Sequence, residues 1–143
     1  MTSQPYRNPT QTRQGRSVEL PKKKQRKRYW VHPYLQTRDE TKHFEIFFGE
    51  LKNYEDKFFR YTRMSLKSFE ELLSILRTCI TKQDTQFRNS IKPELKLTIV
   101  LRYLATGCSF AELHYVFRVG VSTVAEIVRE VCAAIWICLK EMR

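Results

Sequence analysis

Arg118, Ser122, Thr123, Glu126 and Arg129 crowd into twelve residues near the C-terminal end of the chain. Their types suit contact with a DNA duplex. Arginines pair with phosphates and base edges, hydroxyls hydrogen-bond to both, and a carboxylate accepts from a base amino group. Other chemistries lack their residues. The sequence holds no G-x-x-x-x-G-K-[ST], no H-E-x-x-H and no G-x-S-x-G. Its acidic residues fall on solvent faces or in helix caps, with no set that gathers around a divalent metal. Cys79, Cys108, Cys132 and Cys138 form no C-x-x-C, and His32, His43 and His114 stand at no ligand spacing. The cysteines read as small core thiols rather than zinc ligands.

A second set of cations lies at the other end. Lys22, Lys23, Lys24, Arg26, Lys27 and Arg28 make six of seven consecutive residues basic. Nine basic side chains against Glu19 alone leave residues 1–28 at +8 of the total net charge of +11. These residues hold almost no large apolar side chain, so they cannot bury enough surface to offset the entropy of ordering. They read as a disordered basic tail. Its end has the makeup of a nuclear-import signal or a nucleic-acid arm. A solvated charge run with no partner has the same composition.

Residues 93–131 must position the first set. They read as three helices separated by two tight turns. Pro93 suits the first helical position, where its missing N–H has no partner anyway. Gly107 accepts the left-handed conformation that closes a helix. Ser109 and Glu112 stand in the S-x-x-E spacing of a capping box, opening a short helix that ends near Phe117. Arg118, Val119 and Gly120 make a turn, and a third helix starts at Val121 or Ser122. Ala111, Leu113, Val116, Phe117, Val119, Val124, Ile127, Val128 and Val131 supply the apolar contacts. Two helices joined by a short turn holding a glycine have the form of a helix-turn-helix, whose second helix enters the major groove. Helical hairpins of the same form also occur in all-α proteins that never meet DNA.

The remaining chain predicts helices and no compelling strand. Tyr29 to Leu35 is dense in aromatics and reads as an extended segment packed on the domain. Asp39 or Thr41 caps a helix with the stripe Phe44, Phe47, Phe48 and Leu51. Residues 53–56 break it, and a short helix follows from Lys57 to Arg63. Ser65 caps the next, with Met64 stapled onto Phe69, and with Phe69, Leu72, Leu73, Leu76 and Ile80 inward. Residues 81–92 are a polar loop. Residues 131–139, VCAAIWICL, are apolar all round a helix, which predicts burial on every side. Val131, Ile135, Cys138 and Leu139 continue the inward stripe; Ala133, Trp136 and Ile137 point where the preceding helices are too small to cover. The expectation is that the natural fold continues, or that a partner or second copy covers Trp136 and Ile137. The chain carries no run long enough to span a bilayer and no secretory signal, and it reads as intracellular.

Six segments taken in order resemble a known family. They are Arg28 to Leu35, Phe59 to Ser65, Phe69 to Leu73, Lys82-Gln83-Asp84-Thr85 with Arg88, Leu101 to Gly107, and Ser122-Thr123-Val124. Over about residues 28–142 the chain resembles the N-terminal region of the PIF/Harbinger transposases and Harbinger-derived nucleases. The resemblance implies a helical domain with a helix-turn-helix, a nuclear location and DNA as partner. It also implies, for the family, a following RNase H-like domain with three metal-binding acidic residues. Nothing in the 143 residues matches that domain, so no catalytic residue and no cofactor carry over, and this chain by itself is expected to bind and not to cut. The family also works with a separate Myb-like protein, which allows the helical domain to be a protein-interaction module instead. A truncated transposon relic is the third reading. Lys92 and Gly120 depart from the family pattern, which has a capping Ser or Thr and a polar or basic residue there.

Overall fold

The computed structural model describes residues 32–35, 42–86 and 89–143. The fold is all-α, with six helices in sequence and no strand among the described residues. The basic tail, the proposed cap residues Asp39 and Thr41, and Arg88 lie outside the described residues.

Helix α1, His43–Lys52, buries Phe44 and Phe48 and half-buries Phe47 and Leu51. Its cap position is Lys42, in the left-handed region at φ 47° and with no capping side chain. Helix α2, Glu55–Thr62, starts two residues earlier than the sequence predicts. Glu55 and Asp56 read as a break, yet they form its first turn, where carboxylates meet unpaired N–H groups. Helix α3, Leu66–Ile80, opens on Ser65, whose hydroxyl accepts the Ser68 N–H at 3.1 Å. It buries Phe69, Leu73, Leu76 and Ile80, and Met64 is half-buried against that core. Phe48 stacks on Phe44 at 5.1 Å and meets Phe69 at 5.4 Å, and Phe58 stands edge-on to Phe69. These rings fuse α1, α2 and α3 into one side of the core.

Helix α4, Pro93–Thr106, is the middle of the molecule. It packs on α2 and α3 and on two further helices, α5 at Phe110–Phe117 and α6 at Val121–Glu141. Seven consecutive residues, Leu95 to Leu101, are therefore buried, including Lys96 and Thr98. Gly107 ends it at φ 64°, its N–H reaching the Tyr103 carbonyl at 2.8 Å. Pro93 stands at its start as the sequence predicts.

The last helix leaves bare the side that the sequence expects the rest of this chain to be too small to cover. In α6 the buried residues are Val124, Ile127, Val131 and Ala134, with Val128, Cys132, Ile135 and Cys138 half-buried. Trp136 is 71% exposed and Ile137 55%. Leu139, expected inward, faces solvent, and Ala134 takes the inward place. At 100° per residue the stripe through Val124, Ile127 and Val131 runs on to Ala134 and Cys138, and Leu139 is turned past its edge. Burial on every side belongs instead to residues 95–101 of α4, which meets four other helices, although Leu104 further along is exposed.

The aromatic segment is also different in detail. Residues 33–35 form one helical turn closed by the Leu35 N–H on the His32 carbonyl at 2.9 Å, rather than an extended stretch. Tyr34 packs that turn onto the domain. Its hydroxyl donates to the Tyr115 carbonyl at 2.6 Å, and its ring lies 5.8 Å from that of His114. Tyr29, Trp30 and Val31 lie outside the described residues.

Candidate nucleic-acid interface

Helix α5 opens with both halves of a capping box. The Ser109 hydroxyl accepts the Glu112 N–H at 3.2 Å, and the Glu112 carboxylate accepts the Ser109 N–H at 3.0 Å. Leu113 and Phe117 are its buried anchors. Ala111 and Val116, predicted as contacts, are exposed instead, because an eight-residue helix has one inward row and these stand off it.

Residues 118–120 then turn the chain into α6. The left-handed residue of this turn is Arg118, at φ 53°, and not Gly120, at φ −56°. A Cβ on Gly120 would meet the Thr123 hydroxyl at 3.5 Å, an ordinary contact. The turn is held by Val119, which is fully buried, and by His114, whose Nδ1 sits 2.7 Å from the Val119 carbonyl. A carbonyl can only accept, so Nδ1 carries the proton. Metal-ligand spacing does not mark this histidine, yet it ties α5 to the turn.

The five predicted contact residues divide into two groups. Ser122, Glu126 and Arg129 are exposed along one side of the first three turns of α6. The Arg129 Nε reaches back to the Ala125 carbonyl at 3.3 Å. Thr123 and Arg118 are half-buried. Thr123 turns toward the connection between α3 and α4, lining a cleft of about 220 Å³ with Lys82, Gln83 and Glu130. Arg118 lies over the Tyr34 ring, 5.3 Å from its centroid. So Ser122, Glu126 and Arg129 share a face, and Arg118 and Thr123 flank it.

Glu130, which counts against DNA in the bare sequence, is engaged elsewhere. Its carboxylate pairs with Lys96 at 3.2 Å and Lys82 at 3.5 Å. Lys96, 2% exposed, also donates to the Ile80 carbonyl at 2.7 Å, at the last turn of α3. One ammonium group thus joins α3, α4 and α6 beneath the exposed face. No sequence pattern marks Lys96, because its partners lie 16 and 34 residues away. Lys92, at the cap position before Pro93, makes no side-chain capping bond and pairs with Glu45 of α1. That pairing holds the Glu45 carboxyl below the ordinary carboxylate range.

A second concavity lies on the other side of α5. It is a groove of about 690 Å³ with Tyr61, Arg102, Cys108, Tyr115 and Val116 in its walls. Arg102 stacks on the Tyr61 ring at 4.4 Å. Burial pushes the Tyr61 phenol up, against the pull of that guanidinium.

None of the four cysteines is fully buried; Cys79 is exposed and the others half-buried. They sit on the edges of inward stripes rather than along their centres. The Cys79 and Cys138 sulfurs lie 3.7 Å apart, which raises the Cys138 thiol above its ordinary range. Among the described residues no three His, Cys, Asp or Glu side chains gather as metal ligands do, and no helix is long and apolar enough to cross a membrane. Comparisons with protein-family models, with curated proteins and with solved structures return no match.

Proposed function

We propose that this chain binds DNA in the nucleus, with α5 and α6 acting as a helix-turn-helix and α6 entering the major groove. The observation that carries this reading is the exposed start of α6. Ser122, Glu126 and Arg129 share its solvent face, immediately after a three-residue turn from a box-capped helix. A recognition helix presents its first turns to base edges in this way. Phosphate affinity then comes from the net charge of +11, most of it in residues 1–28. The reading agrees with the resemblance to the N-terminal region of Harbinger transposases and Harbinger-derived nucleases, which rests on the sequence motifs alone. In that setting cleavage and its metal belong to a separate nuclease domain, and this chain binds without cutting.

A second reading is docking of a protein partner, such as a Myb-like protein, in the groove beside α5. Tyr115, 67% exposed, and Val116 on its wall favour it, since apolar surface of this kind suits a protein ligand better than a phosphate backbone.

A gel-shift titration of the full chain on duplex DNA separates the two. Arg129→Ala and Ser122→Glu are exposed changes that leave the helix intact. Each should weaken binding by about 1 kcal/mol or more, roughly fivefold upward. Lys67→Ala, exposed on α3, should weaken it much less. DNA affinity untouched by both α6 variants, with native circular dichroism, would rule out groove reading and leave the partner reading.

A further inference from the structure

The solvent face of α6 does not end at Arg129. Ser122, Glu126, Arg129, Ala133, Trp136 and Lys140 follow one another at alternating steps of four and three residues, and all are exposed. That alternation averages the 3.5-residue repeat by which one helix lies along another. The stripe carries Trp136, and Ile137 beside it, bare to solvent in the longest helix of the described fold. Glu126 and Lys140 stand seven residues to either side of Ala133 and enter no ion pair among the described residues.

We propose that this stripe is the contact for a second copy of the chain, with the two α6 helices antiparallel about a twofold axis at Ala133. In that register Glu126 of one helix lies level with Lys140 of the other, and the symmetry makes the pair twice. Arg129 comes level with Ile137 of the second copy and next to its Trp136. Its aliphatic stem covers apolar surface there, and its guanidinium meets the face of the indole. Ala133, the smallest side chain of the stripe, falls at the crossing, where small residues let helices approach. Two other arrangements are opposed by the same charges. A parallel pair sets Glu126 against Glu126 and Lys140 against Lys140. Shifting the antiparallel axis to between Ala134 and Ile135 sets Arg129 against Lys140. The charge order along the stripe therefore favours this arrangement over both of those.

The stripe includes Glu126 and Arg129, so a second copy and a duplex in contact with this face exclude each other. The pairing itself is measured without DNA and stands or falls apart from the DNA reading.

The test is sedimentation equilibrium of the full chain in low salt, over a concentration series, with a charge exchange. The wild type should dimerise. Glu126→Lys alone and Lys140→Glu alone should each raise the dimer dissociation constant about tenfold, since each turns two attractive pairs into repulsions. The double variant, with both charges exchanged, should return to within about twofold of wild type, because a restored pair cancels the effects of the single reversals. Trp136→Glu should give a monomer with unchanged circular dichroism, its side chain being exposed. A wild-type chain that remains monomeric overturns the proposal. So do single reversals without effect, or a double variant weaker than either single one, since both mean that Glu126 and Lys140 do not meet.

Discussion

Lys96 is the side chain on which most of the internal polar organisation converges. Leucine-like burial at 2% exposure is costly for an ammonium group unless every donor is used. Here one donor goes to the Ile80 carbonyl and others to Glu130, so the charge is both paired and hydrogen-bonded. The site also suits the end of α3, where unpaired carbonyls carry partial negative charge. Lys96→Met keeps the volume and removes the charge. It leaves Glu130 with only the exposed Lys82 and leaves the Ile80 carbonyl without its donor. The expected cost is about 2–3 kcal/mol, read as a lower urea midpoint with an unchanged slope. Adding Glu130→Leu should recover about 1 kcal/mol, because an apolar pair no longer strands a charge. A single variant as stable as wild type would mean that the ion pair adds nothing to the fold.

Helix ends decide the geometry of the elements. Two glycines follow helices in the C-terminal half, and they behave oppositely. Gly107 closes α4 at φ 64°, where a side chain is strained. Gly120 precedes α6 at φ −56° and ψ 142°, close to the values at the two serine caps, Ser65 and Ser109. Gly107→Ala should therefore destabilise by about 1 kcal/mol. Gly120→Ser should stabilise by about 0.5–1 kcal/mol, from a new cap on the third residue's N–H and from a stiffer unfolded chain. Thermal unfolding of the two variants should move the midpoint in opposite directions. A loss of stability in Gly120→Ser would show that the turn needs glycine after all. The same variant places a polar side chain at the mouth of the turn, so under the DNA reading its affinity should not fall.

At the scale of the whole molecule, positive charge is unevenly distributed. The described residues carry several of their cations in pairs with carboxylates, as Arg77 does with Glu94 at 2.9 Å and Lys82 with Glu130 at 3.5 Å. Most of the excess positive charge, +8 of +11, lies in residues 1–28. Replacing Lys22, Lys23, Lys24, Arg26, Lys27 and Arg28 with alanine should lower DNA affinity at low salt and flatten its salt dependence, by about 0.9 in the log–log slope for each phosphate no longer neutralised. A fluorescent fusion of the same variant should spread through the cell instead of collecting in the nucleus. An unchanged salt slope would remove the arm from DNA binding, and unchanged accumulation would remove it from import.

The amino-acid order alone determines the local features whose causes are local. The capping box at Ser109 and Glu112, the cap at Ser65, proline at the start of α4 and glycine at its end each depend on neighbours within a few residues. So does the stripe of α3, because a 3.6-residue period is written directly into the chain. Tertiary structure decides what depends on which helices meet. The apolar run at 131–139 predicts Leu139 inward and Trp136 uncovered by the rest of the chain; Trp136 is bare as expected, but packing turns Leu139 to solvent and seats Ala134 in its place. A helix with buried Lys96 and Thr98 in it is the one enclosed, because α4 has neighbours on four sides. The left-handed residue of the last turn is an arginine beside an available glycine, since burial of Val119 and the His114 bond fix the chain's path there. Glu130 reads as a solvent charge until Lys96, far away in sequence, is folded against it. Period and capping are short-range physics and can be read from the chain; burial and ion pairing are set by distant partners, which only packing brings together.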